Sequence, residues 1–268
     1  MIKVRNIMEY LEASADPSQI DALKAGNPED VVTGIVTTFM PTYAALHASA
    51  LERLNVIVAH ESPFYHHREG LTDILTDDPV FEAKIQLIRT HRLNVIRCHD
   101  YLHRANPDAI VEGLLHELGW EPFVESSWDS TSLPLHVMPV TLPSLSGHQL
   151  ISLVKSRLHL PFVHVMGPVD TRITRVGLLP GYTGSGQIAI PYLREARLDA
   201  LLIGEGPEWE LPEYLRDAQE LGQAPLLIVI GHSASEQYGM KSLAARLASA
   251  YPSVSVRFIP TPPVFTVV

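Results

Sequence analysis

Apolar positions in this chain fall into short unbroken runs separated by stretches of helical spacing, the alternation expected of an α/β protein. Helical spacing in residues 4–13 predicts an opening helix, and the polar stretch Lys24-Ala-Gly-Asn-Pro-Glu-Asp30 predicts a loop. A strand at 31–38, a helix at 41–53, a strand at 54–60, a helix at 78–91, a strand at 93–99 and a helix at 107–118 ended by Gly119 follow. Residues 121–134, rich in Ser, Pro and acid and poor in periodicity, predict the connection between halves. This gives a first α/β domain at 1–125 and a second at 126–268. The second half repeats the style. Strands are expected at 135–141, 162–166, 174–179, 200–203, 225–230 and 254–259, and helices at 147–158, 187–196, 208–221 and 232–250. The fold class is therefore α/β with mainly parallel or mixed sheets.

Three of the apolar runs end in a histidine with an acid close behind: His60 then Glu61, His99 then Asp100, and His232 then Glu236. The first two are near copies, Leu-Asn-Val-Ile-Val-Ala-His-Glu and Leu-Asn-Val-Ile-Arg-Cys-His-Asp. Strands would deliver these groups to the sheet ends where open α/β folds bind ligands, and His with Asp or Glu suits Zn, Fe or Mn. Adjacent strand residues point to opposite faces, so one member of each pair faces a site unless the chain turns there. His232 and Glu236 open a helix after Gly231, at the i and i+4 spacing with which a helix binds one metal twice.

Composition narrows the partners. Twenty basic against thirty acidic residues, a net charge of −10, oppose unspecific binding to nucleic acid or an anionic membrane. The single cysteine, Cys98, excludes an internal disulfide framework and points to a reducing, cytoplasmic setting. Charge interrupts the N-terminus too early for a signal peptide, and no run approaches the roughly 20 apolar residues of a membrane span. A soluble protein with a small-molecule substrate is expected.

At Gly26-Asn-Pro, Val32-Thr-Gly-Ile-Val-Thr-Thr-Phe39, Asn55-Val-Ile-Val-Ala-His60, Ile203-Gly-Glu205 and above all Gly231-His-Ser-Ala-Ser-Glu236, the chain resembles the NIF-three-like proteins. These are also called dinuclear metal centre proteins or GTP cyclohydrolase I type 2 homologues. The resemblance spans nearly the whole chain. It implies two similar α/β domains with a dimetal site between them, two divalent ions per chain (Zn, Fe or Mn), and a ring-shaped homo-hexamer. Carried over residue by residue, the ligands are His60, Glu61, Asp100, His232 and Glu236. Many relatives have a second histidine where this chain has Glu61, so Glu61 either ligates as a carboxylate or drops out.

Other residues have double readings. His99 and His103 stand close to Asp100 and fit roles as outer partners or proton carriers as well as solvated loop groups. His66 and His67 form an adjacent pair, but the resemblance puts the ligand position at His60. Cys98 suits a core position. Gly181-Tyr-Thr-Gly-Ser-Gly186 lacks the Lys and hydroxyl of a phosphate loop and reads better as a tight turn. Glu205 fits both a helix N-terminal acid and a carboxylate facing the cleft. Two metals bridged by water would activate it for hydrolysis of a small nucleotide-like or phosphorylated molecule, with Glu61 or His103 carrying protons. The alternative is a protein that binds or delivers metal, or regulates through a partner, without turnover.

Overall fold

Each strand that reads as a continuous apolar run in the sequence is buried on both faces, which is why the runs do not alternate. The structure, a computed structural model, describes residues 1–13, 20–67, 75–125, 137–223 and 225–268. They fold into two units, 1–109 with 239–261, and 110–238 with 262–268.

The first unit holds helix α1 (Val4–Glu12), strands β1 (Ala22–Ala25) and β2 (Ile35–Thr38), helix α2 (Tyr43–Leu51), strand β3 (Val56–Ala59), helix α3 (Pro79–Thr90), strand β4 (Asn94–Arg97) and the one-turn helix α4 (Asp100–His103). Thr42 and Asp78 cap α2 and α3 by accepting the amides of Ala45 and Phe81. The sheet runs β1, β4, β3, β2 and then β10 (Val256–Phe258). Only β1 is antiparallel, to β4. Leu46, Leu54, Ile57, Leu87, Ile88 and Val95 pack together as its core.

Two polar residues interrupt β4, and both are buried. Asn94 accepts the Asn27 amide at 2.8 Å. Gly26, at φ +110°, makes room for it, since a Cβ there would lie 2.2 Å from the Asn94 Oδ1. The Gly-Asn-Pro stretch is thus a fitted corner beneath β4. The other polar residue, Arg97, belongs to the site described below.

The second unit contains helix α5 (Ala109–Leu118), a short 3₁₀ turn (Glu121–Phe123), strand β5 (Met138–Ser146), helix α6 (Gly147–Arg157), strands β6 (His164–Met166) and β7 (Arg172–Leu179), helix α7 (Gly186–Ala196), strand β8 (Ala200–Ile203), helix α8 (Leu211–Glu220) and strand β9 (Leu226–Val229). Its sheet runs β5, β7, β8, β9, β6. The three central strands are parallel and both edges antiparallel. Pro139 and Pro143 are accommodated in β5 because it is an edge with a register shift. Helix α9 (His232–Ala250) starts in the second unit and continues into the first.

The α/β class with two mixed sheets is as expected. The division into 1–125 and 126–268 differs from the packing, because β10 returns to pair in parallel with β2, with Val256 opposite Ile35. Strand β1 falls partly within the stretch expected to be a loop, and α4 was not anticipated. Of the expected connection at 121–134, residues 126–134 lie outside the described residues, as do 135 and 136 of the strand expected at 135–141. No helix among the described residues is long and apolar enough to cross a membrane.

Candidate metal centre

The parallel ladder carries on past the ends of β3 and β4. His60 N–H donates to the Thr38 carbonyl, Glu61 N–H to that of Phe39, and Cys98 N–H to that of Ala59. The chain then turns sharply into α4. Asp21 holds this turn, its carboxylate accepting the amides of His99 and Tyr101 at 2.7 Å each. Burial raises the Asp21 pKa, an effect its backbone hydrogen bonds oppose. The turn lets His99 and His103 face the same side as His60. The rings of His60 and His99 stack at 4.5 Å between centroids, and His103 meets His60 at 5.1 Å and His99 at 4.8 Å. One ligating atom from each of the three lies within 4.8 Å of the others.

Every ring in this group is oriented through Nδ1. His60 Nδ1 lies 3.3 Å from the Cys98 carbonyl, His99 Nδ1 3.0 Å from Asp100, and His103 Nδ1 2.9 Å from Asp108. An oxygen acceptor at Nδ1 favours the tautomer with its proton there, so the lone pair is offered at Nε2. Metal-bound histidines are held in this way by carboxylates and carbonyls. Three imidazoles whose ligating atoms lie this close together can hold a metal ion.

Glu61 and His67 form a second grouping with His99, again with ligating atoms within 4.8 Å of one another. Arg97, 1 % exposed, reaches into it from β4. Its Nη2 lies 3.0 Å from Glu61 Oε2 and 3.1 Å from His67 Nδ1, while Nη1 donates to the His67 carbonyl and Nε to that of His60 at 3.4 Å.

In the second unit the chain leaves β9 through Gly231, at φ +96°, and His232 opens α9. His232 Nδ1 lies 2.9 Å from Glu205, which follows β8, and Nε2 lies 3.0 Å from Glu236, one turn along the helix. Burial alone would lower the His232 pKa, but the two carboxylates outweigh it and raise it to about 10. Gly181 borders this set. A Cβ there would stand 2.2 Å from Glu236 Oε1 and 3.2 Å from His232 Nε2.

Of the residues singled out in the sequence, His60 is thus placed with His99 and His103, and His232 with Glu236. Glu205 lies against His232. Asp100 binds His99 and Arg104 (2.7 Å) and belongs to none of the candidate metal groups among the described residues. Cys98 is fully buried, and burial raises its thiol pKa well above the ordinary value. His66 is half-buried and in none of these groups. Asp21, Asp108 and Arg97 escaped the sequence reading. For Arg97 there was a signal, a charged residue where the duplicated run has Val58.

Cavities of about 500 and 400 Å³ open at the other end of β3 and β4, lined by Asp30, Arg53, Asn55, Arg89, Arg92 and Leu93 among others. Ligands of open α/β sheets lie beyond the carboxyl ends of the strands. The basic rims here are explained by the C-termini of α2 and α3, whose dipoles favour cations.

A family profile described as Duf34/NIF3 (NGG1p interacting factor 3) matches residues 2–263. Among solved structures, a Bacillus cereus protein related to NIF3 superposes with a TM-score of 0.76 at 12% identity, covering 100% of this chain and 99% of that one. Staphylococcus aureus protein SA1388 gives 0.74 at 16% identity, with 100% and 99% covered. HcgD from Methanocaldococcus jannaschii gives 0.70 at 16%, with 97% and 98% covered. At such identities the likeness establishes the fold. No curated protein matches the chain in sequence.

Proposed function

This chain belongs to the Duf34/NIF3 family, and from that premise we propose that it is a divalent-metal-dependent hydrolase of a small nucleotide-like or phosphorylated molecule. The observation that carries this reading is the group of His60, His99 and His103, each oriented at Nδ1 by an oxygen acceptor. In the reading, this set holds one ion and His232 with Glu236 holds a second. The chemistry such ions supply when bound is activation of water near neutral pH and polarisation of a phosphoryl or carbonyl oxygen.

The chain's own groups do the rest. Asp108 and Asp100 keep the rings of His103 and His99 in register, and Glu205 does the same for His232. His103 then serves as a ligand, and Glu61 becomes the proton acceptor. Glu61 Oε2 is bound to Arg97, while Oε1 points towards His99 Nε2 at 3.9 Å. A carboxylate fixed in this way is oriented before a substrate arrives, as a general base requires.

The test is metal content per chain by elemental analysis on protein purified without chelator, for the wild type, His103→Ala and His232→Ala. It is followed by assays with phosphate monoesters, phosphodiesters and GTP ring opening. The expected result is about two ions per chain, about one fewer in each variant, and turnover that falls with the metal. Absence of metal after reconstitution overturns the metal centre. Full metal content with no turnover on any of these substrates overturns the hydrolase and favours a metal-carrying role. A homo-hexamer, proposed from the family resemblance, is checked by light scattering on the same preparations.

A further inference from the structure

A buried arginine needs acceptors for its N–H groups, because an unmatched guanidinium in the protein interior is far costlier than an apolar side chain of similar size. Arg97 stands where the duplicated strand has Val58, and four acceptor atoms surround it. These are the carbonyls of His60 and His67, the Glu61 carboxylate and the His67 ring. All four come from residues 60–67, which follow β3, and the last two are the same Glu61 and His67 that group with His99 as metal donors. We infer that Arg97 is the resident cation of the Glu61, His67 and His99 corner, a positioning residue that takes the place of a metal ion there and leaves Glu61 as a base. The inference rests on the metal centre proposed above.

Two observations support it independently of charge. Arginine cannot act as a hydrogen-bond acceptor, so the 3.1 Å contact between Arg97 Nη2 and His67 Nδ1 puts the ring lone pair on Nδ1 and the proton on Nε2. This is the reverse of the arrangement at His60, His99 and His103, and it leaves His67 no second lone pair for an ion. Likewise Glu61 Oε2 is taken by the same guanidinium nitrogen at 3.0 Å. Charge acts in the same direction, since a divalent ion among these atoms would lie beside the positive charge of the buried Arg97 guanidinium. In the other group each Nδ1 lies against an oxygen instead, of Cys98, Asp100 or Asp108.

The deciding experiment is titration of the chelator-stripped full chain with Co²⁺, read by elemental analysis and by visible absorption. It compares the wild type with Glu61→Gln, His67→Ala and His103→Ala. Glu61→Gln and His67→Ala are expected to bind as many Co²⁺ ions as the wild type with an unchanged spectrum, while His103→Ala binds one fewer. Loss of an ion from Glu61→Gln or His67→Ala overturns the role given to Arg97. Retention of the full count by His103→Ala overturns the metal centre itself, so the two failures are told apart. Arg97→Lys is expected to keep the wild-type count, and Arg97→Gln, which removes the charge, to gain one Co²⁺ per chain. No gain in a folded Arg97→Gln overturns the substitution of cation for metal. If that variant is insoluble, the first three variants decide.

Discussion

The Asp108 carboxylate, almost wholly buried, accepts from His103 Nδ1 at 2.9 Å across a turn of five residues. That bond sets both the tautomer and the direction of a ring in the three-histidine group. Removing such an outer partner commonly weakens a metal site by about 10- to 100-fold. Asp108→Ala is therefore expected to lower affinity for Zn²⁺ or Co²⁺ by about that factor in competition with a chromophoric chelator. Affinity unchanged within twofold would exclude His103 as a ligand.

Gly181 has a positive φ of 57° and no room for a side chain beside Glu236 and His232. An alanine there meets both backbone strain and collision, each of a kind that costs about 1–3 kcal/mol. Gly181→Ala should lower the urea midpoint and remove about one ion per chain, because Glu236 has to move. A variant with wild-type stability and metal content would show that the carboxylate is not held in this position.

Lys84 is wholly buried in α3, its Nζ 2.7 Å from the Pro63 carbonyl and 4.6 Å from the centroid of the Tyr65 ring. Burial lowers its pKa from 10.5 to about 8. Between those values the unfolded chain binds more protons than the folded one, so this group makes stability rise with pH across that window. The penalty is fully present below about pH 8 and corresponds to about 3 kcal/mol. Urea unfolding of the wild type from pH 8 to 10.5 should show the rise, and Lys84→Met should abolish it. An identical slope in both proteins would place the titration elsewhere.

Ions that bind the folded chain alone stabilise it by mass action, about 2.7 kcal/mol at a hundred times the dissociation constant. Stripping with a chelator is expected to lower the melting temperature, and Zn²⁺ or Co²⁺ to restore it. Replacing His60 by alanine should remove part of that recovery, and His232→Ala another part. Full wild-type recovery in both variants would mean that the stabilising ions bind elsewhere.

The alternation of strands and helices was legible because each central strand is buried on both faces and so shows as an apolar run. Strand β1 was not, since Ala22–Ala25 is a partly exposed edge that includes Lys24. The return of β10 to Ile35–Thr37 has no local signal at all, because its pairing spans most of the chain. At the candidate site, the strand-end position of His60 and the i, i+4 spacing of His232 and Glu236 were legible, and the structure has these residues at those positions. The partners of Asp100 were not legible, because the turn into α4 sets its carboxylate against His99 and Arg104. That turn depends on Asp21, 78 residues before His99. Sequence spacing cannot reveal such a partner, and without it the approach of His99 and His103 to His60 could not be foreseen.

The amides at His60, Glu61 and Cys98 are tied into the same ladder as the strands before them. The conformational entropy of ordering this backbone is consequently lost when the sheet forms, and little of it remains to be lost when an ion arrives. Capture of an ion by the three rings would then be governed by dehydration of the ion, with metal-free and loaded chains sharing one backbone at this sheet end.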